Sequence, residues 1–175
     1  MGLGFTGSLR GGAAIVIATR EGVLWPVLIV ERPPDAGDDW QTDRPEVHDA
    51  VHSVFERFNI VRANCNPSEW RPEIDTWAGQ YGKEIVLQTP LNRARFGPMV
   101  DRLISAVAAG QVSHPADEAF TRHMVSARLD TPREGHRLFK AAGPGRPIHA
   151  AIAAALALDA AAGIEDEPDW GNFIL

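Results

Sequence analysis

Two apolar, β-branched runs near the start of the chain, Ala13–Ala18 (AAIVIA) and Leu24–Val30 (LWPVLIV), lie either side of the turn signal Glu21-Gly22. Runs of this kind read as strands, and so short a connection makes them an antiparallel hairpin. Beyond residue 45 the apolar spacing changes. Val47, Val51, Val54, Phe55 and Phe58 fall at i, i+4, i+7, i+8 and i+11, one stripe of an amphipathic helix. A chain that forms strands first and then changes to the helical period builds a sheet and covers it. Together with the later alternation of helix and strand, that pattern points to an α/β architecture.

The other segments extend the pattern. Gly2–Gly7 reads as a short, glycine-rich first strand, and Pro45 suits the first turn of the first helix. Ile60–Cys65 is a strand followed by Pro67, and Trp70, Ile74, Trp77 and Tyr81 form a second helical stripe closed by Gly82. Glu84–Gln88 is a further strand. Phe96, Met99, Val100, Leu103, Ile104 and Val107 mark a third helix that ends before Gly110. Residues 116–127 read as helix, and residues 130–147, rich in Gly, Pro and Arg, as mostly loop. Pro147 starts an alanine-rich last helix with Ile148, Ile152 and Leu156 along one side. These stripes are read as core burial. The three early strands are expected antiparallel, and the two later ones, each reached through a helix, parallel to the first.

A chain of 175 residues, 45% hydrophobic, suits one domain with a real core. That domain is expected over residues 1–164, with 165–175 as an acidic C-terminal tail carrying Glu165, Asp166, Glu167 and Asp169. The formal charge of −6 excludes a global basic field toward nucleic acid but leaves room for a local basic face. Cys65 is the only cysteine, so no internal disulfide or cysteine-rich zinc site can form. No charged segment followed by an apolar stretch opens the sequence as a signal peptide would. The longest apolar run, near Ala150–Leu158, falls far short of the roughly 18 residues needed to span a bilayer. A cytoplasmic protein without membrane contact is expected.

Several familiar motifs fail on context. Gly2, Gly4 and Gly7 match G-x-G-x-x-G, but no strand can precede residue 2 and a strand rather than a helix follows. Residues 79–83 (GQYGK) lack the spacing of a phosphate loop. His48 and His52 are four apart on one helix, yet that helix turns its valines inward, so both are expected to face solvent. Cys65 is read as a buried structural thiol. No Ser/His/Asp arrangement has local support.

Four segments, in order, carry a resemblance. They are Gly4-Phe5-Thr6-Gly7-Ser8, Val61–Tyr81 (VRANCNPSEWRPEIDTWAGQY), Gly110–Ala127 (GQVSHPADEAFTRHMVSA), and Leu138-Phe139-Lys140 with Pro147-Ile148-His149-Ala150-Ala151. Together they resemble the C-terminal nuclease domain of phage terminase large subunits, a ribonuclease H-like fold that cuts DNA during packaging. The likeness runs from Gly4 to about Ala162, and no segment corresponds to the family's N-terminal ATPase. The resemblance implies a mixed sheet, three antiparallel strands plus two parallel, flanked by helices. It also implies three metal-binding acids, at the first strand, at the end of the fourth and at the start of the last helix.

At the corresponding positions stand Thr6, Asn66 and His149. Gly12 stands where the family often has a further acid. This type of nuclease is expected to hold two divalent metals about 4 Å apart. Magnesium and manganese take hard oxygen ligands, carboxylates above all, and imidazole suits them poorly. A hydroxyl, an amide and an imidazole supply no negative charge to anchor such ions. Asp117 is a weak substitute candidate, with Glu46 and Asp49 less plausible.

The expectation is a catalytically degenerate nuclease-like domain, with no cofactor required and magnesium or manganese relevant only to residual activity. Duplex DNA and phage packaging proteins are the candidate partners. Arg93, Arg95, Arg122, Arg128, Arg137 and Lys140 are candidate phosphate contacts. A docking or regulatory partner of packaging machinery, and a prophage remnant that still folds, are further readings of the same loss. The main alternative is an active metal-dependent DNA endonuclease using non-standard ligands, with a small-molecule hydrolase a distant third.

Overall fold

The strand β2 (Gly12–Ala18) is buried along its whole length, which explains why its apolar run shows no alternation. Ala13, Ile15 and Ile17 belong to one hydrophobic cluster, while Ala14, Val16 and Ala18 belong to another. Successive side chains of a strand point to opposite faces, so a strand covered on both sides must be apolar throughout. The computed structural model describes residues 1–130 and 135–163. The acidic tail expected over 165–175 lies outside them.

β2 pairs antiparallel with β1 (Gly2–Ser8) and with β3 (Leu24–Glu31). β1 in turn pairs parallel with β4 (Arg62–Cys65), and β4 parallel with β5 (Val86–Gln88). The strand order is β3-β2-β1-β4-β5, a mixed sheet of the kind the period change called for. Pro26 lies in the edge strand β3, where a missing N–H disturbs no interior ladder.

One face carries α1 (Arg44–Arg57) and α2 (Arg71–Tyr81). Their Val47, Val51, Val54, Ile74 and Trp77 pack with Leu3, Phe5 and Ile15. The opposite face carries α3 (Arg93–Ala108), α4 (Glu118–Ser126) and α5 (His149–Ala162), through Phe96, Val100, Leu103, Phe120 and the alanines of α5.

α5 departs from the expected single apolar side. It is buried almost all round, including Ala150, Ala151, Leu156, Ala157 and Ala161, because it lies between the sheet and the helices α3 and α4. A helix enclosed on every side must be apolar on every side. Its closest approach is to β1. A Cβ on Gly4 would collide with the backbone of Ala153 and Ala157, and one on Gly2 would meet Ala157 O at 2.6 Å. The glycines that imitate a dinucleotide fingerprint are there so that a helix can lie against a strand backbone.

The described residues of 130–147 are mostly loop, as expected, with one short exception: Phe139–Ala141 forms β7, which pairs antiparallel with β6 (Ala127–Leu129). Strands three residues long carry too little periodicity to show in a Gly- and Pro-rich stretch. His48 and His52 are only partly open to solvent, because each also contacts the neighbouring helix α2. The indole N–H of Trp77 donates to His48 Nδ1 at 2.9 Å, and His52 Nδ1 lies 2.6 Å from the Tyr81 hydroxyl. They flank the valine stripe of α1 on the side where α2 packs. Cys65 is buried as expected, and burial pushes its thiol up to about 12.

Candidate functional site

The site is built where β1 and β4 end side by side. Their parallel register aligns Phe5 with Cys65, and the chain continues so that the Asn66 N–H donates to Phe5 O at 2.9 Å. Thr6 and Asn66 are thereby brought together. The Asn66 amide donates from Nδ2 to Thr6 Oγ1 at 3.1 Å, with Thr6 2% and Asn66 7% exposed. Asn66 Oδ1 accepts from the Ser68 N–H at 3.4 Å, a local turn that leads into Pro67. Both polar ends of this amide are occupied within the protein. Two carboxylates in the same places would be like charges at hydrogen-bond distance in a buried setting, tolerable only with a proton or cation between them.

His149, the third position, is the first residue of α5. Its Nδ1 is buried and has no hydrogen-bond partner among the described residues. Burial, reinforced by the nearby His123, pushes its pKa down to about 4, so the ring is neutral near pH 7. None of these three groups is itself an anion, and the carboxylate felt by His149, Glu31, is already held by Arg122 and His123. A hydroxyl, an amide and a neutral imidazole do not fit the oxygen-rich, charged shell that magnesium demands. Among the described residues, no cluster of three or more His, Cys, Asp or Glu is placed to hold a metal.

Asp117 caps α4, accepting from the Phe120 N–H at 2.7 Å. Glu46 and Asp49 are exposed on α1. Gly12 has φ of 106°, and a Cβ there would collide with the carbonyl of Val30. Backbone geometry alone therefore accounts for the glycine at that position.

A residue passed over in the sequence reading orders this region. His123 is 0% exposed. Its Nδ1 accepts from the Ala150 N–H at 2.9 Å, which places the ring proton on Nε2, 2.9 Å from Glu31 Oε1. A neutral imidazole thus serves as the side-chain cap of α5. Glu31 is also gripped by Arg122, through Nε to Oε1 at 3.2 Å and Nη2 to Oε2 at 2.6 Å, which holds its carboxyl below the usual range. This Arg122–Glu31–His123 chain ties the end of β3 to α4 and to the start of α5. Its only sequence signal was a histidine inside a matching segment and an acid at a strand end.

The candidate phosphate contacts divide by their surroundings. Arg93 is forked onto Asp130, Arg122 onto Glu31, and Arg137 pairs with Asp101 at 3.0 Å. Arg128 donates to the carbonyls of Val125 and Ala127 at 2.6 and 3.2 Å. Arg95 and Lys140 are exposed and form no ion pair among the described residues. A different set of cations, Arg10, Arg32 and Arg146, lines an open hollow of about 440 Å³ together with His149.

No protein-family profile matches the chain. In sequence it is similar to the Gene 13 protein of Mycobacterium phage D29, 27% identical over 172 residues, which cover 90% of this chain and 28% of that protein. The Gene 13 protein of Mycobacterium phage L5 is 26% identical over 138 residues, covering 72% of this chain and 23% of that protein. The chain therefore spans between 23% and 28% of the length of these relatives. Among solved structures, the large terminase of bacteriophage HK97 superposes with a TM-score of 0.70 at 17% identity, over 91% of this chain and 39% of that one. The large terminase nuclease of thermophilic phage G20c superposes at 0.59 and 17% identity, over 90% and 80%. The same nuclease with bound magnesium gives 0.58 at 16% identity, over 90% and 79%. The five-stranded mixed sheet and its flanking helices are the fold of these terminase nuclease domains.

Proposed function

We propose that this chain is a catalytically degenerate nuclease-like domain of the terminase large-subunit type, retained as a binding module for duplex DNA or a partner protein in phage DNA packaging. The observation that carries the reading is the buried Asn66–Thr6 hydrogen bond. It stands where the resemblance calls for two of three metal-binding acids, and it satisfies both side chains without an ion. The neutral His149 at the third position points the same way. The link to packaging rests on the terminase neighbours in structure and on the two phage proteins similar in sequence. An intracellular setting follows from that link. The employment of Asp117 as a helix cap speaks against an endonuclease that uses non-standard ligands.

A thermal-shift titration with manganese tests this directly. The reading expects no saturable rise in Tm across millimolar metal, because nothing in the folded state binds the ion better than the unfolded chain does. A saturable rise that is lost in Asn66→Ala would put a metal in the pocket and favour the endonuclease.

A further inference from the structure

The hollow beside His149 gathers three cations around a shared open space. Arg10 comes from the β1–β2 turn, Arg32 follows β3, and Arg146 lies in the loop leading into α5. Three separate segments thus bring guanidinium groups to one hollow, and none of its lining residues is a carboxylate. Arg10 and Arg146 are exposed and make no side-chain hydrogen bond or ion pair among the described residues. Arg32 is braced by Ala36 O at 3.1 Å and Gly37 O at 3.0 Å, with the Asp38 carboxylate 3.7 Å away. This differs from Arg93, Arg122 and Arg137, whose charges are matched by Asp130, Glu31 and Asp101.

The wall between the arginines is glycine. Gly143 and Gly145 have nothing within 4 Å of where a Cβ would stand, so the backbone is open to a ligand there. Open backbone beside convergent guanidinium groups is the combination that recognises tetrahedral oxyanions, since planar N–H forks match phosphate oxygens and bare amides approach closely.

We infer that the hollow between Arg10, Arg32 and Arg146 is a phosphate seat, and that it replaces the cations first chosen from the sequence as the main anchor for a phosphodiester. The inference deepens the binding-module reading and rests on it for the identity of the ligand, but not for the existence of the seat. The shared chemistry is a phosphate group, whether of a duplex backbone or free in solution.

The test uses the whole chain, labelled with nitrogen-15 and titrated at low ionic strength, first with inorganic phosphate and then with a short blunt-ended DNA duplex. Phosphate should move the amide resonances of Gly11, Gly143 and Gly145 saturably. The Arg10→Ala/Arg146→Ala variant, altered only at exposed side chains, should weaken that binding at least about tenfold, the loss of roughly one charge-assisted contact. Competition by the duplex for the same amides would identify a nucleic-acid backbone as the source. Phosphate binding without duplex binding would keep the seat and remove the DNA reading. If the duplex binds both proteins with equal affinity and equal salt dependence, and phosphate leaves the glycine amides unmoved, the seat is wrong and the DNA reading survives. Silence toward both ligands overturns both.

Discussion

The side-chain amide of Asn66 donates to the hydroxyl of Thr6 at 3.1 Å, closing the gap between the ends of two parallel strands. An amide and a hydroxyl can complete each other in this way, whereas two carboxylates cannot. The scaffold is thus stable as it stands at the position where the resemblance calls for metal.

Introducing acids should cost stability in a manner that depends on pH. Asn66→Asp removes the donor to Thr6 and places a charge at a site 7% exposed, at a cost of about 1–3 kcal/mol. Thr6→Asp/Asn66→Asp should cost more, because burial and mutual repulsion raise both carboxyl pKa values in the folded state. The penalty is then present above those raised values and relieved as pH falls through them. Urea unfolding at pH 7.5 and pH 5 checks this: the double variant should recover toward wild type at the lower pH. An unchanged deficit would mean that the pair is not buried together.

Acidification should weaken the native protein. Burial lowers the folded-state pKa of His149 to about 4 and that of His123 below its ordinary value, so the unfolded chain binds protons first as pH drops. Stability from His149 is complete above about 6.5, the unfolded histidine value, and is lost on the way down toward 4, with His123 adding to the loss as pH falls. Glu31, held below its usual range by Arg122, extends the loss to lower pH. His149→Gln should flatten the upper part of the curve in a pH series of chemical denaturations. His123→Ala should lower stability by about 3 kcal/mol near neutral pH, since it removes a buried ring and the cap of α5 together, and the deficit should shrink as pH falls.

Gly4→Ala should be more damaging than any conservative change on the surface. Its Cβ would collide with the backbone of Ala153 and Ala157, and neither β1 nor α5 can move without opening the core. A loss of about 3 kcal/mol or more is expected by denaturant titration, at the upper end of overpacking costs. Gly79→Ala, with nothing within 4 Å of the added carbon, is the matched control and should be neutral or slightly stabilising.

Removing the paired arginines should act on stability before binding. Arg93→Ala, Arg122→Ala and Arg137→Ala each break an ion pair at a half-exposed side chain, where solvent screening keeps the loss small. Differential scanning fluorimetry and duplex-DNA anisotropy, run side by side, should show lowered Tm with little change in affinity. The opposite pattern would restore them as phosphate contacts.

The sheet was legible because hydrophobic period alone separates a buried hairpin from amphipathic helices, and because helices between strands impose parallel pairing. The pairing of Thr6 with Asn66 was legible only through the ordered resemblance, since sixty residues separate them and neither type is specific. Other features were hidden for identifiable reasons. The β6–β7 pair is too short to have a period. The His48–Trp77 contact depends on α2 packing beside α1, which one helix's stripe cannot show. The Arg122–Glu31–His123 chain joins residues about ninety positions apart. Charge counting likewise could not tell Arg122, held by Glu31, from Arg146, whose side chain makes no ion pair among the described residues.

Nicking of supercoiled plasmid by the wild-type chain in millimolar manganese, with and without chelator, tests the loss of cutting most directly. With Thr6, Asn66 and His149 where the resemblance calls for acids, the plasmid should stay supercoiled over hours at micromolar protein. Chelator-sensitive nicking that co-purifies with the folded chain and disappears in Asn66→Ala would contradict the account and show that this edge still holds its metal.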